Sequence, residues 1–159
     1  MALHFSKEEF EKRKSKTLNS MKELNLDALL MFRQESMFWL TGYDTFGYVF
    51  FQTLILDQKG NVILLTRAPD LRQAQNTSNI KDIRIWVDKD NSNPTDDLKI
   101  ILNELDLKGK KIGIEYEAYG MTGRNALKLN KSLDNYCDVE DQSELITKHR
   151  VIKSNEEIV

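Results

Sequence analysis

The sequence predicts one α/β domain built around a mixed β-sheet. Segments with strand character alternate with segments of helical periodicity along most of the 159 residues. This alternation favours parallel strands joined by helical crossovers, and one pair of consecutive strands adds an antiparallel hairpin. The composition, 40% hydrophobic and 30% charged, is that of an ordinary globular protein, and the length suffices to bury a core without disulfides.

The first half of the chain begins with a capped helix. Ser6 and Glu9 match a capping box, and apolar residues from Phe10 to Met21 follow at helical spacing. Asn25 ends this helix. The elements predicted next are a buried strand at 28–32, a short helix at 36–40, and two hairpin strands at 49–56 and 61–66 joined by a turn.

The second half contains a helix with clear start signals. Asn93 is a good helix cap, and Pro94 suits the first helical position. Asp96 and Asp97 then lie near the positive end of the helix dipole. The other elements predicted here are a helix at 69–75, a strand at 83–87, a strand at 112–114, a helix at 125–133 and a strand at 137–139.

Charge and cysteine content exclude several classes of protein. The net charge of −2 comes from 23 basic and 25 acidic residues without a basic stripe, so no nucleic-acid partner is predicted. No apolar run is long enough to span a membrane. The single cysteine, Cys137, excludes an internal disulfide and a cysteine-based zinc site. Because the N-terminus also lacks a secretory leader pattern, we expect a cytoplasmic location.

An aromatic loop is the densest candidate for a binding site. Gly42 and Gly47 allow unusual backbone conformations there, and Tyr43 and Tyr48 supply apolar walls with hydroxyl groups, as small-molecule pockets require. The alternative is that these rings pack the hairpin onto a helix. Asp44 in the same loop is placed either to orient a ligand amine or to cap the turn.

Two arginines follow predicted strands. Arg33 and Arg67 lie where ligands collect in open α/β sheets and are suited to bind a carboxylate, although a surface ion pair is the alternative. Glu115 and Glu117 share one side of an extended segment, which suggests either a cation site or ordinary exposed acids. No catalytic constellation and no metal site are predicted within this chain.

Several segments together resemble the N-terminal domain of the creatinase/prolidase family. They are Leu26–Leu30 (Leu-Asp-Ala-Leu-Leu), Phe38–Tyr43 (Phe-Trp-Leu-Thr-Gly-Tyr), Leu65–Arg67 (Leu-Thr-Arg) and Arg150–Ile158, with Arg13 in the first helix. This family includes Xaa-Pro dipeptidases, aminopeptidase P, creatinase and ectoine-type hydrolases. The likeness covers nearly the whole chain.

The resemblance implies a three-layer α/β/α sandwich with a mixed sheet of ribonuclease-H-like topology. Residues 1–147 would form this domain, and residues 148–159 would be a linker and the start of a C-terminal catalytic domain. In the peptidases of the family, that second domain holds two divalent metal ions of the Mn or Co type, and the N-terminal domain carries no cofactor. The resemblance also implies a homodimer and a small peptide or amide substrate.

The resemblance suggests which residues line the substrate. In creatinase, an aromatic residue and an arginine after the glycine-containing loop contact the substrate. A gap-free match from Gly42 places Tyr48 at the aromatic position and Phe50 at the arginine position, which disfavours creatine as the substrate. The expected substrate-lining residues are Tyr43, Asp44, Tyr48, Phe50 and Arg67.

Three hypotheses about function remain at this point. The first is a substrate-lining, dimerising domain of a metal-dependent C–N hydrolase. The main candidate for this hydrolase is an Xaa-Pro dipeptidase or aminopeptidase, and the alternative is a creatinase- or ectoine-hydrolase-like amidohydrolase. This chain alone would then be inactive. The second is a non-catalytic binding or scaffold module of the same fold. The third is a small-molecule-binding α/β protein that uses the arginines at the strand ends.

Overall fold

A six-stranded mixed sheet forms the centre of the protein, whose computed structural model describes residues 3–158. The strands lie in the order β4-β3-β2-β1-β5-β6. They are β1 Ala28–Met31, β2 Thr53–Asp57, β3 Val62–Arg67, β4 Asp82–Trp86, β5 Lys111–Ile114 and β6 Asp138–Asp141. Strand β2 runs antiparallel to both of its neighbours, and all other neighbouring pairs are parallel. The carboxyl ends of five strands therefore share one edge of the sheet with the start of β2.

Helices cover both faces of this sheet. They are α1 Lys7–Glu23, α2 Gln34–Thr41, α3 Leu71–Thr77, α4 Pro94–Glu104, α5 Gly123–Leu133, α6 Leu145–Val151 and α7 Asn155–Ile158. Helices α4 and α5 pack on one face, and α1, α2, α3 and α6 pack on the other. This arrangement confirms the predicted three-layer α/β/α sandwich with a mixed sheet. Among residues 3–158, no helix is both long and apolar enough to cross a bilayer.

Strand β1 shows why the sheet is covered on both sides. Its side chains alternate between the two cores, with Ala28 and Leu30 on the α4–α5 side and Leu29 and Met31 on the other. All four are fully buried. A strand buried on both faces has a continuous apolar sequence, as the run at 28–32 predicted.

Two elements differ from the sequence prediction. The strand predicted at 49–56 begins only at Thr53, because residues Gly47–Val49 form a 3₁₀ turn that is closed by a hydrogen bond from the Phe50 amide to the Gly47 carbonyl. Helix α6, which was not predicted, crosses the expected boundary between residues 147 and 148. Its Leu145 and Ile146 are buried in the core beside α1 and α2.

Candidate functional site

Polar and aromatic side chains gather at the carboxyl edge of the parallel strands. Arg33 follows β1, Arg67 ends β3 and Glu115 follows β5. Because β2 is antiparallel, the loop at 46–52 that leads into β2 arrives at this same edge. Open α/β sheets bind ligands at this edge, so it is the place where a site is expected.

Two loops at this edge carry exposed apolar side chains, a group that we call the aromatic rim. It consists of Phe46, Tyr48, Val49, Phe50 and Tyr119. Phe46 is 87% exposed and Tyr119 is 74% exposed. The rings of Tyr48 and Tyr119 meet edge to face with their centroids 5.6 Å apart, so the rim joins two loops that are distant in sequence.

Arg67 lies against this rim. Its guanidinium carbon is 3.4 Å from the centroid of the Phe50 ring, which is a cation–π stack. Two of its nitrogens, Nε and Nη2, donate to Oδ2 of Asp70 at 3.2 Å. The third, Nη1, lies 3.9 Å from Oδ2 of the exposed Asp88. Arg67 therefore presents Nη1 outward, while its other nitrogens are held by a buried carboxylate.

The structure brings three of the five expected substrate-lining residues together. Tyr48 and Phe50 belong to the rim, and Arg67 stacks on Phe50. Tyr43, in contrast, is completely buried beneath the rim. The Tyr43 hydroxyl donates to Oε1 of Gln52 at 2.9 Å, and burial raises the pKa of this hydroxyl. Asp44 is exposed and faces a different pocket, which is lined by Phe38, Trp39 and residues of the C-terminal segment.

Glu115 is the buried acid of this edge. It accepts hydrogen bonds from the Phe32 and Arg33 amides, both at 3.0 Å, and from Oγ of Ser36 at 2.6 Å. Burial raises the pKa of Glu115 to about 7, although these donors act in the opposite direction. The carboxylate thus ties the end of β1 to the start of α2. Arg33 itself forms the expected surface ion pair, with Nη2 3.0 Å from Oε2 of Glu117.

A second polar cluster, the charged clasp, joins the two ends of the described chain. It consists of Ser6, Arg13, Glu156 and Glu157. The Ser6 amide and hydroxyl donate to Glu156 at 2.9 and 2.6 Å, and Nη2 of the buried Arg13 lies 3.5 Å from Oε1 of Glu157. Arg13 also donates to Oε1 of Glu9 at 2.9 Å and to the Trp39 carbonyl at 2.8 Å.

Only some of the contacts in these clusters were predicted from the sequence. Ser6 caps α1 as predicted, with the Glu9 amide donating to its hydroxyl at 3.1 Å. The second bond of the capping box, from the Ser6 amide to the Glu9 carboxylate, is absent. Glu9 pairs with Arg13, and Glu156 accepts from the Ser6 amide instead. No local signal identifies Ser6 as the partner of Glu156 or Thr45 as a partner of Asp70, because the tertiary fold sets both contacts. The Arg67–Asp70 pair, in contrast, is local, since its members are three residues apart.

Comparison with known proteins identifies the family. The model of the creatinase/prolidase N-terminal domain matches residues 13–152. The chain belongs to this family. The matched region contains the whole aromatic rim, but of the charged clasp it contains only Arg13.

Individual relatives agree with this assignment. The chain is 28% identical over 163 residues to an uncharacterised hydrolase/peptidase of Sinorhizobium fredii, covering 98% of this chain and 41% of the relative. It is 26% identical over 172 residues to ectoine hydrolase of Halomonas elongata, covering 99% of this chain and 41% of that protein. The structure of a Thermococcus sibiricus prolidase superposes with a TM-score of 0.77 at 20% identity, over 94% of this chain and 39% of the prolidase. The chain thus spans about two fifths of these relatives.

Proposed function

We propose that this chain is the N-terminal, substrate-lining and dimerising domain of a metal-dependent C–N hydrolase. The first candidate for this hydrolase is an Xaa-Pro dipeptidase or aminopeptidase. The observation that carries the proposal is the aromatic rim at the carboxyl edge of a creatinase/prolidase N-terminal domain. Hydrolases and peptidases among the relatives support the reaction class. The relatives are much longer than the region that this chain matches, which supports a second domain that carries the catalytic groups.

Within this proposal, the chain binds and orients rather than catalyses. Tyr48 and Phe50 supply an apolar wall, and Nη1 of Arg67 offers a donor to a substrate carboxylate. The rim packs against the catalytic domain of a second subunit, because exposed apolar side chains gathered in two neighbouring loops are typical of a contact region. Tyr43 supports the rim from below through its hydrogen bond to Gln52.

The metal ions of the proposed reaction fit no site in the described residues. Among residues 3–158, no group of three or more His, Cys, Asp or Glu side chains is arranged to hold a metal ion. We therefore assign two divalent ions of the Mn or Co type to the proposed second domain. We assign no metal-dependent step of the reaction to this chain.

A second candidate is favoured by one relative. The 26% identity to ectoine hydrolase over nearly the whole chain supports an amidohydrolase of that type with the same division of labour between domains. The two candidates differ in substrate and share the role of this domain. A scaffold without hydrolytic activity is the remaining alternative.

The test begins with the native polypeptide. Its intact mass should be well above the 18.5 kDa of this chain, and the purified native protein should hydrolyse an Xaa-Pro dipeptide in the presence of Mn²⁺. Hydrolysis of ectoine instead would select the second candidate. The 159-residue chain alone should be inactive on both substrates. Failure of the native protein on both substrates would leave the scaffold alternative.

A further inference from the structure

Asp70 is a buried acid that the expected substrate-lining set does not include. It is the last residue of the 3₁₀ segment Ala68–Asp70 and is 7% exposed. Its two oxygens face different parts of the site: Oδ2 accepts from Arg67, and Oδ1 accepts from the Thr45 hydroxyl at 3.2 Å. One carboxylate therefore contacts both the end of β3 and the start of the loop that forms the rim.

The contact with Thr45 continues into the backbone of this loop. The same hydroxyl accepts a hydrogen bond from the Gly47 amide at 2.8 Å. Gly47 in turn accepts from the Phe50 amide at 3.0 Å and so closes the 3₁₀ turn. Asp70 also packs directly on Gly47, where a Cβ atom would lie 2.7 Å from the Asp70 Cγ. A side chain at position 47 would therefore displace the carboxylate.

We propose that Asp70 is a positioning residue that holds Arg67 and the loop at 46–50 in one arrangement and thereby sets the shape of the aromatic rim. Through Arg67 it acts on Phe50, whose ring the guanidinium covers. Through Thr45 it acts on the backbone turn that carries Tyr48. A buried carboxylate with charge-assisted hydrogen bonds suits this role, because such bonds are strong and directional. The effect on substrate binding rests on the proposed function, whereas the effect on loop structure does not.

The first test is amide hydrogen exchange in the full-length protein with Asp70→Asn. Asparagine keeps the size of the side chain but loses the negative charge and one acceptor oxygen. With its oxygen facing Arg67 the ion pair becomes a weaker neutral contact, and the Thr45 hydroxyl loses its carboxylate acceptor and can only accept from the NH₂ group. We expect the Gly47 and Phe50 amides to exchange about tenfold faster or more, with unchanged exchange in β1. The matched control is Asp88→Asn, which removes the exposed acid 3.9 Å from Arg67 and should leave these amides unchanged.

Two further variants keep the test decisive if Asp70→Asn does not fold. Thr45→Val removes the loop-side bond to Asp70 together with the acceptor of the Gly47 amide, so its readout is the Phe50 amide. Arg67→Met removes only the strand-side bonds while keeping an apolar contact with Phe50. Each variant should accelerate exchange of the Phe50 amide. Unchanged exchange of the Phe50 amide in every folded variant would overturn the proposal.

The second test is kinetic and uses the same full-length proteins with an Xaa-Pro dipeptide. For Asp70→Asn we expect KM to rise about tenfold with kcat changed less than about twofold, because a displaced rim weakens binding without touching the catalytic groups. The Asp88→Asn control should not raise KM, because it removes only an acid that competes with the substrate carboxylate for Nη1 of Arg67. A fall in kcat with constant KM would contradict the positioning role. A wild type that hydrolyses neither this dipeptide nor ectoine would reject the proposed function, and the exchange measurement would still decide the role of Asp70.

Discussion

The Nη2 atom of Arg13 lies 3.5 Å from Oε1 of Glu157, so the first helix is joined to the last helix of the described chain. The Arg13 side chain is 2% exposed and is also flanked by the Phe5 ring, 4.0 Å from its guanidinium carbon. A buried charge with this many partners leaves those partners unpaired when it is removed. The charged clasp is therefore expected to matter for folding.

Replacing Arg13 by Met should destabilise the protein by about 3–5 kcal/mol, because it leaves the buried Glu9 carboxylate and the Trp39 carbonyl without their donor. The measurement is urea unfolding followed by circular dichroism. Lys14→Met on the same helix is the control. It removes a partly exposed ion pair with Glu11 and should cost less than about 1 kcal/mol. Equal losses in the two variants would contradict the importance of the clasp.

The stability of the protein should depend on the ionisation of Glu115. Its pKa is raised from an ordinary value of 4.5 to about 7 by burial, so between these values the folded state binds more protons than the unfolded state. The free energy of unfolding should therefore fall by about 3 kcal/mol as pH rises from 4.5 to 7, through this group alone.

The substitution Glu115→Gln should remove this contribution. The amide oxygen can still accept from the Phe32 and Arg33 amides, and the NH₂ group can donate to Ser36 Oγ, so the shape of the site is kept. Urea unfolding at several pH values between 4.5 and 7.5 compares the two proteins, with Glu117→Gln as an exposed control two residues away. Parallel stability curves for the wild type and Glu115→Gln would count against the raised pKa.

Gly42 and Gly109 allow a matched test of backbone strain. Both have positive φ, +80° and +73°, but a Cβ at Gly42 would lie 2.9 Å from the Thr77 carbonyl oxygen, whereas the space at Gly109 is open. Gly109→Ala should cost about 1–2 kcal/mol from the left-handed backbone alone. Gly42→Ala should cost clearly more, because it adds the collision. Thermal unfolding of the two variants measures the difference, and equal shifts in Tm would refute the role of close packing at the end of α2.

Cys137 should react slowly in the folded protein. Burial, with a smaller contribution from Asp138, raises the pKa of its thiol from 9.0 to about 11. Because the thiolate is the reactive form, its fraction at pH 8 falls about 100-fold. Alkylation with iodoacetamide should therefore be slower by at least this factor in the native protein than in urea, as followed by intact mass. Similar rates in both states would show that the thiol is not shielded.

Local patterns in the sequence determined much of the fold. The apolar run at 28–32 predicted a strand buried on both faces, and Asn93 with Pro94 predicted the start of α4. These features depend on residues within a few positions of one another. Their spacing alone therefore carries the information. The segments near Gly42 and Arg150 likewise sufficed to suggest the family.

The tertiary structure decided which groups meet. Ser6 and Glu9 were predicted to form a capping box, yet Glu156, 150 residues away from Ser6, accepts from the Ser6 amide. Tyr43 was expected at the surface of the site and lies beneath it, whereas Asp70 holds Arg67 and Thr45 together from a position with no local motif. The reason is physical: sheet order and helix packing bring distant segments within hydrogen-bond distance, and no short window of sequence contains Ser6 with Glu156 or Thr45 with Asp70.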